Sequence, residues 1–192
     1  MNRLFRAAVD LQAFVSARGW KFCVIGGLAV QRWGEPRQTR DVDITLLSGM
    51  GGEERFVDPI LAHYRGRLPD ARRFALEHRV VLIETADRVP IDISLGGLPY
   101  ESRVVERASA FAIEASLTLI TCSAEDLVVL KVFAGRPQDW LDVEGILARQ
   151  GPRLNRMLVL DEVRPLLVLK EDDEAEHKLV RMFKQHPVED GA

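Results

Sequence analysis

Apolar residues recur at helical spacing from the start of the chain, at Leu4, Ala7, Ala8, Leu11, Phe14 and Val15, and Gly19 then reads as the closing cap of a first helix. The period changes at Trp20. The run Trp20 to Ile25 is short and apolar and stops at Gly26-Gly27, after which Leu28, Ala29, Val30 and Trp33 predict a short helix ended by Gly34 and Pro36. From Asp41 to Leu47 charged and apolar side chains alternate, which predicts a strand with one face in the core and one open. Gly49 to Gly52 breaks the chain, and residues 53–64 suit a helix. Arg79 to Glu84 and Val89 to Leu95 predict two strands of a hairpin joined by Thr85 to Arg88, and Ala112 to Ile120 is also strand-like.

Beyond Ser123 the texture is helical. Ser123 to Asp126 resembles a capping box with Asp in the place of Glu, and Leu127, Leu130, Val132 and Phe133 follow at helical spacing. Pro137 suits the first turn of another helix running to about Arg149, which Gly151-Pro152 ends. Further helical segments flank a polar run from Lys170 to Glu176. The expected class is α+β: a small mixed or antiparallel sheet flanked by helices within residues 1–120, and a helical region over residues 121–192.

Length and composition restrict function more than they identify it. With 192 residues, the chain has room for one core and an appendage, not for two enzymes in tandem. A hydrophobic share of 47% beside 29% charged residues describes a globular protein rather than a disordered one. The net charge of −3 gives no global basic field, although residues 1–110 hold 16 basic and 14 acidic side chains and the remainder 10 and 15, so a polyanion would approach the first half. Two isolated cysteines, Cys23 and Cys122, fit a reducing, cytoplasmic setting. No apolar run approaches the ~18 residues of a membrane span, so neither a signal peptide nor a membrane partner is expected.

Three carboxylates carry the chemistry. Asp41 and Asp43 are two apart on one strand and share a face, while Val42 and Ile44 point to the core. Asp92 lies within Val89-Pro90-Ile91-Asp92-Ile93-Ser94-Leu95 on the face opposite Ile91 and Ile93. If the two strands are neighbours, three hard oxygen donors converge, the donor type that Mg²⁺ prefers in a two-ion site. A solvated strand face is the plainer explanation of Asp-x-Asp, but an acid inside an apolar strand needs a reason. The Gly26-Gly27 pair before a helix either lets phosphate approach the backbone or serves a tight turn. Arg37-Gln38-Thr39-Arg40 offers two guanidinium groups and a hydroxyl that hold phosphate or face water.

Gly26-Gly27, then Arg40-Asp41-Val42-Asp43, then a distant strand-borne Asp92 together resemble the polymerase-beta-like nucleotidyltransferase superfamily. The resemblance implies a glycine pair and Arg40 at the triphosphate, Asp41, Asp43 and Asp92 on two Mg²⁺ ions, and Asp92 activating the acceptor hydroxyl. It extends through Ala124 to Lys131 and Arg136 to Val143, which look like the AbiEii-type nucleotidyltransferase toxins. That subgroup implies Lys131 as a triphosphate contact with Asp139 or Asp142 as its partner; acids in the first turn of a helix favoured by its dipole are the plainer alternative. The implied reaction moves a nucleotide from a triphosphate such as ATP to a tRNA end or a protein, within a toxin-antitoxin system that supplies an antitoxin partner. Modification of an aminoglycoside or lincosamide is the second reading, and a catalytically silent nucleotide-binding module the third.

Overall fold

The computed structural model describes residues 2–114 and 117–187, and divides into two compact units. One unit contains the residues up to Leu28 together with Gln38–Cys122; the other contains Ala29–Arg37 and the chain from Ser123.

The first unit is built on a sheet. Among the described residues its strands are β1 (Phe22–Ile25), β2 (Val42–Leu47), β3 (Arg65–Gly66), β4 (Val80–Glu84), β5 (Pro90–Gly96), β6 (Ser109–Glu114) and β7 (Leu117–Thr121), in the order β3-β4-β5-β2-β1-β7-β6. The sheet is mixed: β2 runs parallel to β5 and β1 parallel to β7, and the other neighbouring pairs are antiparallel. Alternation along β2 and β5 buries Val42, Ile44, Ile91, Ile93 and Leu95, which join Leu4, Leu11 and Val15 of helix α1 (Arg3–Ser16) in one apolar core. Side chains that alternate at period 2 explain why burying this face leaves Asp43 and Asp92 on the other.

The expected α+β architecture is present, with differences in detail. The single strand expected over Ala112 to Ile120 is two antiparallel strands, β6 and β7; residues 115 and 116 of that stretch lie outside the described residues. The helix expected from Leu28 is α2 (Gly26–Trp33), which starts at the glycine pair itself. Arg79, expected to open a strand, instead closes helix α4 (Ala71–His78) in the left-handed conformation at φ 56°, and its guanidinium donates to Leu95 O at 2.6 Å and Gly49 O at 2.8 Å. Helix α3 (Glu54–His63) fills the expected place, and α5 (Pro99–Glu106) follows β5.

The second unit is helical: the remainder of α2, then α6 (Ala124–Ala134), α7 (Pro137–Gln150), a 3-10 turn at Gly151–Arg153, α8 (Arg156–Lys170) and α9 (Asp173–Gln185). Ser123 caps α6, accepting from Asp126 N at 3.0 Å. Leu127, Val128, Ile146, Leu147, Val159, Val163 and Leu179 are buried in this unit. No helix among the described residues is long and apolar enough to cross a membrane.

Candidate active site

The parallel pairing of β2 and β5 sets Asp43 directly opposite Asp92, with Val42 opposite Ile91 and Ile44 opposite Ile93. In-register neighbours on a parallel pair project to the same face, so the two half-buried carboxylates stand side by side on the open side of the sheet. Asp41, one residue before β2, lies close enough for its charge to act on Asp92. Burial pushes the Asp92 carboxyl above its ordinary range; the Arg67 guanidinium pulls it back, and the Asp41 charge adds to the rise.

Both glycines are required by what lies against them. A Cβ on Gly26 would stand 2.0 Å from Asp43 Oδ2, and Gly26 adopts φ 61°, a conformation that L side chains rarely take. A Cβ on Gly27 would stand 2.2 Å from Thr39 Oγ1, and that hydroxyl donates to Asp41 Oδ1 at 3.1 Å. Glycine therefore admits the carboxylate of β2 and the hydroxyl of the preceding turn against the start of α2. Thr39, read from sequence as a phosphate or water contact, orients Asp41; Arg40 is exposed.

These acids suit a hard divalent cation in donor chemistry and in strand placement, and the place that a Cβ on Gly26 would take is filled by the Asp43 carboxylate itself. Their side chains are otherwise engaged. Asp92 is ion-paired with Arg67 and Asp41 accepts from Thr39, and among the described residues no three His, Cys, Asp or Glu side chains are grouped closely enough to enclose an ion.

Lys131, Asp139 and Asp142 form a separate cluster within the helical unit. Lys131 is only 8% exposed, and its Nζ lies 2.8 Å from both Asp139 Oδ1 and Asp142 Oδ2. Asp142 also accepts from Arg37 Nε at 2.6 Å and from the second guanidinium nitrogen at 2.8 Å, a bidentate pair. Burial alone would raise the Asp142 carboxyl, but the hydrogen bonds from Arg37 and Lys131, the Lys131 charge and Gln138 hold it below its ordinary range. Asp139 accepts from the Arg136 backbone amide at 3.2 Å and so caps α7 as well as holding Lys131. The sequence left open which acid partners Lys131; both do. Arg37, read as a phosphate or solvent contact, is bound to Asp142.

Residues 2–185 match the family described as nucleotidyltransferase of unknown function (DUF6036). The chain belongs to this family. No curated protein sequence matches it significantly. Its fold resembles that of an antigenic nucleotidyltransferase-like protein from Paracoccidioides brasiliensis, at a TM-score of 0.51 and 11% identity over 91% of this chain and 92% of that one. It also resembles the antibiotic-resistance factor ANT(2'')-Ia in solution, at a TM-score of 0.53 and 15% identity over 91% and 96% of the two chains. A crystal structure of ANT(2'')-Ia in complex with adenylyl-2''-tobramycin gives 0.52 and 16% identity over 84% and 97%. The fold of this DUF6036 member is thus nucleotidyltransferase-like, and its acids occupy neighbouring strands of the sheet that defines it.

Arg67 was not singled out from the sequence. It lies in an unpatterned stretch after the two-residue strand β3, and no spacing links it to Asp92, 25 positions later.

Proposed function

We propose that the chain is an active, Mg²⁺-dependent nucleotidyltransferase that moves a nucleoside monophosphate from a triphosphate such as ATP to an acceptor hydroxyl. The observation that carries this reading is the register of Asp43 beside Asp92, with Asp43 seated against Gly26. Asp41, Asp43 and Asp92 would hold the cation, which when bound supplies positive charge to offset the charge developing on the triphosphate. The backbone amides at the start of α2 favour phosphate, and Gly26 and Gly27 carry no side chain to obstruct it. The acceptor oxygen attacks the α-phosphorus, the bond from that phosphorus to the β-phosphate oxygen breaks, pyrophosphate leaves, and the Asp92 carboxylate takes the proton of the acceptor hydroxyl.

Lys131, Asp139 and Asp142 are left out of this chemistry. Their charges are already balanced within their own unit, and a lysine held by two carboxylates has little of its charge left for a phosphate.

A small polyhydroxylated acceptor such as an aminoglycoside is favoured by the likeness to ANT(2'')-Ia, of whose chain 96% is covered. A tRNA end or a protein, with an antitoxin as partner, is favoured by the toxin-like run through Lys131 and Asp142. The test supplies α-labelled triphosphates and Mg²⁺ with aminoglycosides, lincosamides, total tRNA and cell protein side by side. Label on an antibiotic supports the first acceptor, and label on tRNA or protein the second. Label on none of them, with triphosphate still bound, replaces the enzyme by a silent nucleotide-binding module.

A further inference from the structure

Helix α9 carries two stripes of different character. Ala175, Leu179 and Phe183 recur every fourth residue and are buried in the helical unit. Glu174, His177, Lys178 and Arg181 follow at intervals of three, one and three, which sets them on a second stripe of the same helix. That stripe borders a cleft of about 640 Å³ that Trp140 and Asp172 also line. All of these residues belong to the helical unit. The volume lies within the ~300–1,000 Å³ common to small-ligand sites.

The aromatic wall of the cleft is fixed in orientation. The Trp140 indole N–H donates to Gly135 O at 3.2 Å, and the Lys178 ammonium lies 4.1 Å from the centre of a Trp140 ring. Attraction to the ring face holds the lysine there without neutralising its charge. Asp172 is already engaged: its carboxylate accepts from Lys170 Nζ at 3.0 Å and from the Ala175 amide at 3.2 Å, which caps α9. Among the described residues neither Lys178 nor Arg181 is paired with a carboxylate. Set against Glu174, the two cations leave the stripe with one net positive charge, and His177 adds a ring nitrogen.

An aromatic plane beside an ammonium and a guanidinium suits a ligand that joins a flat ring to an anion. We infer that this cleft binds a nucleotide, taken from a free mononucleotide or from a single strand of nucleic acid, with the base on Trp140 and the phosphate on Arg181 and Lys178. A base stacked on Trp140 displaces the Lys178 ammonium from the ring and turns it toward the phosphate. The inference goes beyond the transfer proposed above and requires no cation.

The test titrates the whole chain by calorimetry in EDTA, which removes divalent ions, with AMP, adenosine, inorganic phosphate and hexaadenylate RNA. The wild type should bind AMP more tightly than adenosine or phosphate. Trp140→Phe, which keeps a ring, should stay near the wild type, and Trp140→Leu should lose about tenfold, within the range of one base–aromatic stack. Arg181→Gln, at an exposed position, should lose about fivefold for AMP and nothing for adenosine. Tighter binding of hexaadenylate than of AMP, with the same losses in the variants, makes a single strand the source; equal binding makes it a free nucleotide. No binding of AMP or RNA by the wild type, or undiminished binding by both Trp140→Leu and Arg181→Gln, overturns the inference. AMP binding that is lost in Asp43→Asn and kept in Arg181→Gln puts the nucleotide at the sheet, which overturns this cleft and leaves the transfer proposal standing.

Discussion

The two charged clusters of this protein are made of the same residue types, and one carboxyl in each is shifted, in opposite directions. In the helical unit, Asp139 and Asp142 are matched by Lys131, Arg37 and the Arg136 amide, and the hydrogen bonds hold the Asp142 carboxyl below its ordinary range. On the sheet, Asp92 is ion-paired with Arg67, and burial still pushes its carboxyl up. The contacts of the helical unit join the turn after α2 with α6 and α7. An acid whose burial outweighs its ion pair, set beside a second acid on the neighbouring strand, is unfavourable to the fold by itself, and such an arrangement is a candidate for chemistry. Surroundings, not residue type, set the direction in which each carboxyl is shifted.

Breaking the compensated cluster should produce the largest loss of stability. Lys131→Met leaves two buried carboxylates short of a cation and is expected to cost roughly 3–5 kcal/mol in denaturant unfolding. Replacing Lys131, Asp139 and Asp142 together by apolar residues of similar volume should recover much of that loss, as a purely structural network requires. On the sheet, Gly26→Ala forces a side chain into φ 61° and against Asp43, for an expected loss of about 1–2 kcal/mol or more, read in the same unfolding experiment. It should also weaken Mn²⁺ binding.

The smallest effects are those of pH, and they should differ in sign. The folded Asp142 carboxyl titrates below its unfolded value of 3.8, so its stabilisation is complete above that pH and is lost as pH falls below it. Asp142→Asn should therefore flatten the acid side of the stability profile. The folded Asp92 carboxyl titrates above 3.8, so its ionisation opposes folding at neutral pH and that opposition is relieved as pH falls through its folded value. Asp92→Asn should be more stable than the wild type near neutrality, with the advantage shrinking on acidification. Urea midpoints collected from about pH 3 to pH 7 check both.

Much of this arrangement is legible in the chain itself, and the rest is hidden for physical reasons. The alternation Asp-Val-Asp-Ile-Thr-Leu fixes which side of β2 is open, and the apolar neighbours of Asp92 do the same for β5, because one buried face dictates the other. That β2 lies parallel and in register with β5 depends on the rest of the sheet. Helix α4 has one fully buried residue, Ala75, and so shows almost no apolar stripe, while β3 is two residues long. Arg67 acquires its partner only through two strand pairings, and Arg37 only through the close approach of the turn after α2 to α7, where a Cβ on Gly145 would stand 3.0 Å from Glu35 N. Contacts of that kind carry no local pattern.

The central claim is that the neighbouring acids of the sheet perform nucleotidyl transfer. Its most direct test is transfer of α-label from a nucleoside triphosphate in Mg²⁺ by Asp43→Asn beside the wild type, with folding of both verified by circular dichroism. The account predicts label transfer by the wild type and a loss of at least about a thousandfold in the variant, as expected for a group acting on transition-state charge. Undiminished transfer by Asp43→Asn would contradict it.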